Sequence, residues 1–545
     1  MPAPNQFQEV PIFDSLHGFV RITLAEQNII NSAYFQRLRD IKQLSFAYYV
    51  FPGAVHTRFS HSIGVLATLA KVLERLLNSG AVIPTEDVYI LRMAALLHDI
   101  GHYPLSHLIE SSYQNHQDKF RLKLSAEDEE GGTDDALREY QERFPDAVTH
   151  ALQHDGHHER LGGYIIQNTD FPGGVTYILK KNGFSCEVIE SIALIIQGKS
   201  STGWHNQIIH SELDVDRLDY LCRDSHATGV QYGNFDFEYL LNNFRLFKDE
   251  ETNALIFSVK SSAVFTVEHF LLARYFWYAQ IIHERTISIF DHLGTTTYQW
   301  LIDRNLAPEY VEVLQMTQSP SDFIKFNDIF FWEKIYQGTG AKYPTEDQET
   351  KNFRESCHYL INRIPLKRVR LPFSKTLKYK NYGCDHTETC AQLDKCHKST
   401  GCPKFTDDRN VRDELSEVSE RLKQVIIRSG HDPSWVIPLY KHSSISKLST
   451  QRSAEEKERD PIRIIEDKKL AFLEDLEHSM VKMLNDYELV QPRIYVKQEY
   501  LEILEPTISE LCESSKQEKY LDNISTPAVI GASTEYSDGV ADVAG

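Results

Sequence analysis

At 545 residues the chain can bury a large core and has room for about two to four domains. Its hydrophobic content of 41% and charged content of 25% are those of an ordinary globular protein. A net charge of −20 excludes a surface that coats nucleic acid generally, and an anionic substrate has to be met by a locally positive pocket or by a metal. The first residues, MPAPNQFQEVPIF, carry no basic stretch followed by an apolar core, so no secretory leader is expected. No run reaches the roughly 20 apolar residues of a membrane span. The cysteines number 8, few for this length, and this points to a reducing cytoplasm, where clustered thiols bind metal more often than they pair.

Taken in order, residues 9–24 alternate apolar and polar about a glycine and predict a hairpin. Tyr34 to Phe51 begins as a helix, with Phe35, Leu38, Ile41 and Leu44 at three-residue steps. A turn at Pro52-Gly53 leads into HTRFSHSIGVLATLAKVLERLL, a helix that Ser60 or Ser62 would cap, with His61 at its start. A helix from Asp87 runs into LLHDIGHYPLSH, Leu96 to His107. Residues 114–159 read as an acidic, mobile excursion. The chain then returns to helices at HHERLGGYIIQ, at SCEVIESIALIIQGK and at SELDVDRLDYLCRDSHATG. Phe244 to Val259 predicts a second hairpin, and a single long helix is expected from Ala263 to His292. The fold class that follows is mainly α: a helical catalytic core over residues 1–300 with small β-hairpins, then a mostly helical, mixed α/β lobe over 301–506. A low-aromatic tail from Thr507 is expected to be disordered.

The chemistry gathers in Leu96 to His107. Adjacent His98 and Asp99 offer an imidazole nitrogen and a carboxylate oxygen to one ion, and His102 lies four residues on, with His107 beyond it. Capping and core histidines at a helix end are the plainer reading of such a string. If His61 and Asp216 join His98 and Asp99, two imidazoles and two carboxylates suit a divalent metal, with Mn, Fe or Zn favoured over Mg or Ca. Such a metal polarises a phosphoryl group and lowers the pKa of a water.

HTRFSHSIGV, LLHDIGHYPLSH, HHER and LDVDRLDYLCRD occur in the order of the motifs of the HD-domain phosphohydrolase superfamily. FQRLRDIKQL followed by YYVFPGAVHTRFSHS resembles, more narrowly, the dNTP triphosphohydrolase branch, over about residues 9–300. This resemblance implies metal ligation by His61, His98, Asp99 and Asp216. It implies that His102 protonates the leaving ribose oxygen, that His107 meets the phosphates, and that His158 with Glu159 supports the catalytic group. Arg58, Arg217, Tyr220, Asp224 and, by a looser match, Arg274 correspond to substrate contacts. Gln43 and Leu44 fall where the family reads the deoxyribose. The implied reaction is attack of water on the α-phosphorus of a dNTP, giving deoxynucleoside and inorganic triphosphate. The family also implies a nucleotide effector and a homo-oligomer, a dimer or tetramer. At its regulatory site Gln36 and Arg39 match, but Asn31 stands where relatives carry an acidic residue. Ser45 to Ala47 replaces a glycine run beside the sugar pocket.

Two other features stand apart. Cys384, Cys390, Cys396 and Cys402 recur at regular spacing and suit either a structural zinc or unligated, redox-active thiols. The basic run Arg363 to Lys380 suits a solvated face, an effector or subunit contact, or, less readily, nucleic acid. Another HD-domain nucleotidase or phosphodiesterase activity and a non-catalytic nucleotide sensor are the competing functional readings.

Overall fold

The computed structural model describes residues 10–114, 149–151, 156–340, 347–371, 376–379, 408–444, 461–466, 469–484 and 487–525. The excursion after residue 114 falls largely outside them, and Cys384, Cys390, Cys396 and Cys402 lie outside them entirely.

The chain opens with the hairpin its alternation predicts, β1 (Val10–Asp14) antiparallel to β2 (Gly18–Ile22). Helix α1 (Leu24–Ile30) follows at once because Thr23 and Glu26 form a reciprocal capping box. The expected helix from Tyr34 is reduced to α2 (Ala33–Gln36) and a tight turn, Arg37–Asp40. Beyond Ile41 the backbone turns aside to bridge Lys42 with Thr57, and that extended contact competes with helix. Helix α3 (Arg58–Asn78) starts earlier than Ser60 or Ser62 would place it. Thr57 is its cap, and Ser60 accepts instead from the Thr57 N–H at 3.3 Å. His61 therefore sits inside the first turn. Helix α4 (Thr85–Leu97) lies along α3 with an almost wholly buried C-terminal half and ends at His98.

Helices α5 (His158–Asn168), α6 (Val175–Lys181), α7 (Cys186–Ile196) and α8 (Gly203–Ile209) follow, with α7 and α8 packed on α4, α5 on α7 and α6 on α5, and α9 (Val215–Thr228) packs on α3. Asp214 caps α9, accepting from the Arg217 N–H, and Gly229 at φ 75° ends it in the left-handed region. Strands β3 (Phe244–Lys248) and β4 (Leu255–Lys260) form the second predicted hairpin. The single helix expected over Ala263 to His292 is two: α10 (Val264–Trp277) and α11 (Arg285–Asp303), separated by a wide π turn over Tyr278–Ile282. Glu284 makes the new start by accepting from the Thr286 and Ile287 N–H groups. Nothing in this apolar run carries a Gly or Pro to announce the break. Helix α11 also runs through residue 300, where the sequence placed the end of the core, and the described residues of the first compact unit continue to Pro365 and include 376–379, 441–444, 461–466, 469–484 and 487–490. Within that unit β5 (Arg463–Glu466) runs parallel to β4 and antiparallel to β6 (Lys469–Phe472). The second unit holds most of a long amphipathic helix, Asp408–Arg428, and a helix Tyr500–Ser525 that passes through Pro506 and across the expected start of the tail at Thr507. Among the described residues no helix is long and apolar enough to cross a membrane.

One close approach fixes the region of interest. A Cβ on Gly101 would lie 2.2 Å from the His158 carbonyl oxygen and 2.3 Å from the Gly162 nitrogen, both backbone atoms that cannot step aside. Gly101→Ala is therefore expected to cost about 1–3 kcal/mol through overpacking. Thermal unfolding should show a lowered midpoint, whereas Gly203→Ala, whose Cβ would meet nothing within 4 Å, should leave it unchanged.

Candidate metal centre and its acid–base flank

Three segments far apart in sequence converge. The first turn of α3 supplies His61, the residues that end α4 supply His98 and Asp99, and the first turn of α9 supplies Asp216. His61 Nε2 lies 2.8 Å from Asp216 Oδ1, 3.3 Å from His98 Nε2 and 3.7 Å from Asp99 Oδ2. His98 Nε2 is 3.3 Å from Asp99 Oδ1 and 3.7 Å from Asp216 Oδ1. Donor atoms held about 2 Å from one cation are spaced about 3 Å from each other, so His61, His98 and Asp216, whose donor atoms all lie within 4.8 Å of one another, fit a single divalent metal, and Asp99 stands beside them. The tautomers fit as well. His98 Nδ1 is 2.8 Å from the Ala95 carbonyl and His61 Nδ1 is 2.8 Å from Asp219 Oδ2, which leaves both Nε2 lone pairs turned inward. Burial pulls the His61 pKa down, yet Asp216, Asp219 and Asp99 raise it to about 10, a measure of how strongly the pocket draws positive charge.

Asp99 is the hub. Beyond the two histidines it accepts from Arg58 Nη1 at 2.8 Å and lies 3.0 Å from His102 Nε2. Burial would raise its pKa, but the Arg58 guanidinium with His98 and His102 holds it well below the carboxylate range. Arg58 is itself fixed by donation from Nε to Ser106 Oγ at 2.9 Å. Arg37, fully buried, donates to the carbonyl oxygens of Ile100 and His102 and so ties down the HDIGH backbone.

Behind the hub stands a set of imidazoles. His102 stacks on His158 with ring centroids 3.9 Å apart, and His107 meets both rings edge-on. Glu110 organises them, a residue the sequence reading passed over. Its carboxylate accepts from the His158 backbone N–H at 2.7 Å, and its oxygens lie 2.7 Å from His158 Nδ1 and 2.9 Å from His107 Nδ1. Burial lowers His158, but the Glu110 charge raises it to about 9, so it carries a proton at neutral pH. Burial, reinforced by Arg58 and His158, keeps His102 well below the usual imidazole range, hence neutral. Two stacked imidazoles are thus pushed in opposite directions, as acid–base partners need.

The HD domain family matches over residues 58–224, the span that carries His61, His98, Asp99 and Asp216. Protein YwfO of Bacillus subtilis is 30% identical over 408 residues, covering 71% of this chain and 80% of its own length. The chain belongs to the HD-domain phosphohydrolases. The deoxynucleoside triphosphate triphosphohydrolase SAMHD1 of Xenopus laevis is 30% identical over 247 residues, which span 43% of this chain and 36% of that protein. The fold agrees with a solved structure of a hypothetical protein from Aquifex aeolicus, at TM-score 0.59 and 23% identity, over 91% of this chain and 98% of that one.

Within this HD-domain protein the other expected site residues fall into distinct groups. Gln43 and Leu44 are buried beside the Lys42–Thr57 bridge, and among the described residues Gln43 Oε1 has no hydrogen-bond partner. Tyr220 rests on the Trp277 ring at 4.8 Å. Asp224 is fully buried, with one oxygen 2.7 Å from His56 Nε2 and the other accepting from Trp277 Nε1 at 2.9 Å. Arg217 is paired with Asp214. Arg274 is only 2% exposed and donates to Glu212 Oε2 at 2.7 Å, so its guanidinium is engaged by a buried carboxylate rather than presented to the centre. Glu159 lies 3.3 Å from His210 Nδ1 and 3.8 Å from His157 Nδ1, and Glu110 rather than Glu159 touches His158. At the end of α1, Gln36 donates to the Ile30 carbonyl at 2.7 Å and accepts from Arg39 Nε at 2.8 Å, next to exposed Asn31.

Proposed function

We propose that this metal-dependent phosphohydrolase acts on deoxynucleoside triphosphates at the α-phosphorus. The observation that carries the proposal is the adjacency of the His61, His98 and Asp216 metal group, with Asp99 beside it, to a pair of oppositely tuned imidazoles, His102 and His158, across the 3.0 Å Asp99–His102 contact. A metal bound by His61, His98, Asp99 and Asp216 supplies Lewis acidity and a water of lowered pKa. Arg58 adds fixed positive charge at the phosphate end. A new bond forms between the water oxygen and the α-phosphorus, and the bond from that phosphorus to the ribose 5′-oxygen breaks. The departing alkoxide is a poor leaving group, so it takes a proton from the His102–His158 unit, whose charge Glu110 maintains. The unpartnered oxygen of Gln43 suits a sugar hydroxyl, and the packing of Leu44 suits a ribose lacking its 2′-oxygen. The partial likeness to SAMHD1 supports the same substrate class.

Incubating the protein with Mn2+ and separate dNTPs, NTPs and NMPs, then identifying products, tests the reading. Inorganic triphosphate with deoxynucleoside is the expected result. Orthophosphate from a nucleoside monophosphate would move the activity to nucleotidase, and tight binding without turnover would make the protein a sensor.

For regulation we place a nucleotide effector on the surface formed by Asn31, Gln36 and Arg39, in a homo-oligomer. An amide at residue 31 has one acceptor where a carboxylate offers two for the N1–H and N2–H of guanine. Asn31→Asp is therefore expected to increase activation by GTP relative to ATP, read from initial rates with each nucleotide added to a fixed dNTP.

A further inference from the structure

The N-terminal hairpin is remote from the HD motifs in sequence, yet its turn reaches the back of the candidate metal centre. Asp219, on α9, stands between them. One of its oxygens is 2.8 Å from His61 Nδ1 and the other is 2.7 Å from Nε2 of His17, the residue before Gly18 in the turn. Lys71 Nζ lies 3.3 Å from His17 Nδ1. An ammonium group only donates, so His17 must accept at Nδ1 and carry its proton at Nε2. That proton faces Asp219, which then has its other oxygen for the Nδ1–H of His61. Direction is thus set step by step: Lys71 to His17, His17 to Asp219, His61 to Asp219. Arg223 braces the chain with two hydrogen bonds to Asp219, at 2.8 and 3.1 Å, and two to Asp14, at 3.0 and 3.2 Å. Asp14 in turn accepts from the backbone N–H groups of Leu16 and His17, both at 2.9 Å, which shapes the turn itself. The side chains of Asp14, His17, Asp219 and Arg223 are 5% exposed or less. The packing is tight: a Cβ on Gly64 would lie 2.1 Å from Asp219 Oδ1.

We infer that the hairpin turn is a working part of the metal centre: His17 and Asp219 are positioning residues that hold His61 in the tautomer presenting Nε2 to the metal. This rests on the reading of His61 as a ligand. Carboxylate partners behind a ligating histidine fix its orientation and raise its basicity, and their loss weakens metal binding by about 10- to 100-fold.

The test is Mn2+ affinity of the full chain, measured by calorimetry alongside the melting temperature of the metal-free protein. Asp219→Asn is expected to weaken Mn2+ binding by about 10- to 100-fold. His17→Ala should weaken it in the same direction while leaving the Arg223 pairs intact, and His17→Gln, whose amide can still donate to Asp219, should recover most of the affinity. His98→Ala is the control for the centre itself. If it leaves Mn2+ binding unchanged, the ligand assignment fails and the relay has nothing to position. If His98→Ala loses Mn2+ but Asp219→Asn and His17→Ala bind as the parent does, the centre stands and the positioning role is overturned. A loss in His17→Ala that His17→Gln does not recover also overturns it, since a restored donor to Asp219 would then not restore the affinity. Should Asp219→Asn not fold, the two His17 variants decide.

Discussion

Asp99→Asn is expected to abolish measurable Mn2+ binding and to lower kcat/KM by at least about 1,000-fold, the scale of removing a principal electrostatic element from a phosphoryl-transfer site. The neighbours of Asp99 include both histidines of the centre and a buried guanidinium. It lies within 4 Å of His61, His98, His102 and Arg58, and it is the residue through which the metal group and the stacked His102–His158 pair touch. The amide keeps the shape and deletes the charge, which separates electrostatics from packing. A second effect follows from burial. Arg58 is 4% exposed, and with Asp99 neutral it becomes an unpaired buried cation, a change that costs about 3–5 kcal/mol when one partner of such a pair is removed. Asp216→Asn provides the contrast. Its side chain is 33% exposed, so it should lose metal and turnover with a smaller fall in melting temperature. Calorimetry with Mn2+, a product assay and a thermal melt on the two variants read all three quantities. Equal turnover in parent and Asp99→Asn would remove Asp99 from the metal set.

Glu110→Gln should lower kcat by about 100- to 10,000-fold at neutral pH, the range for loss of general acid–base catalysis. The cause is the charge on His158. With Glu110 ionised, the pull of burial is overcome and His158 titrates near 9; with a neutral amide in its place burial prevails, and the imidazole is deprotonated at pH 7. The alkaline limb of the kcat profile should accordingly move to lower pH by more than about one unit. Stability gives an independent readout. His158 has a folded pKa above its unfolded value of about 6.5, so its contribution is fully present below pH 6.5 and is lost as pH rises through about 9. Melting temperatures of the parent should fall across that window, and those of Glu110→Gln should be flatter there. A Glu110→Gln profile that superimposes on the parent would show that the leaving-group proton comes from elsewhere.

The convergence of His61, His98 and Asp216 was legible because each lies in a short string whose residue types have little other use: His-Asp at a buried helix end, a histidine in the first turn of α3, an aspartate in the first turn of α9. Glu110 and Asp219 were not legible. Glu110 follows an apolar Leu108-Ile109 pair, and Asp219 is one acid among several on α9, so local pattern cannot tell an inward carboxylate from a solvated one. Only the fold decides which face is covered, and it covers these. Arg274 is the converse: a motif match identifies a cation but cannot reveal that Glu212 already holds it. The break between α10 and α11 was invisible for a related reason. A π turn needs no breaker residue, and a Glu at the new start looks like any other polar residue in a helix.

The scattering of the donors over α3, the end of α4 and α9 has a thermodynamic consequence. An unfolded chain has His61 and His98 separated by 37 positions and His98 and Asp216 by 118, and offers the cation little, so the folded state takes nearly all of the binding energy. Folding and metal uptake are then linked equilibria, and free metal at 100 times its dissociation constant would add about 2.7 kcal/mol to stability. In a cell, the pool of the chosen cation would set how long this protein survives as well as how fast it turns over, and starvation for that ion would thin its population before any change in synthesis.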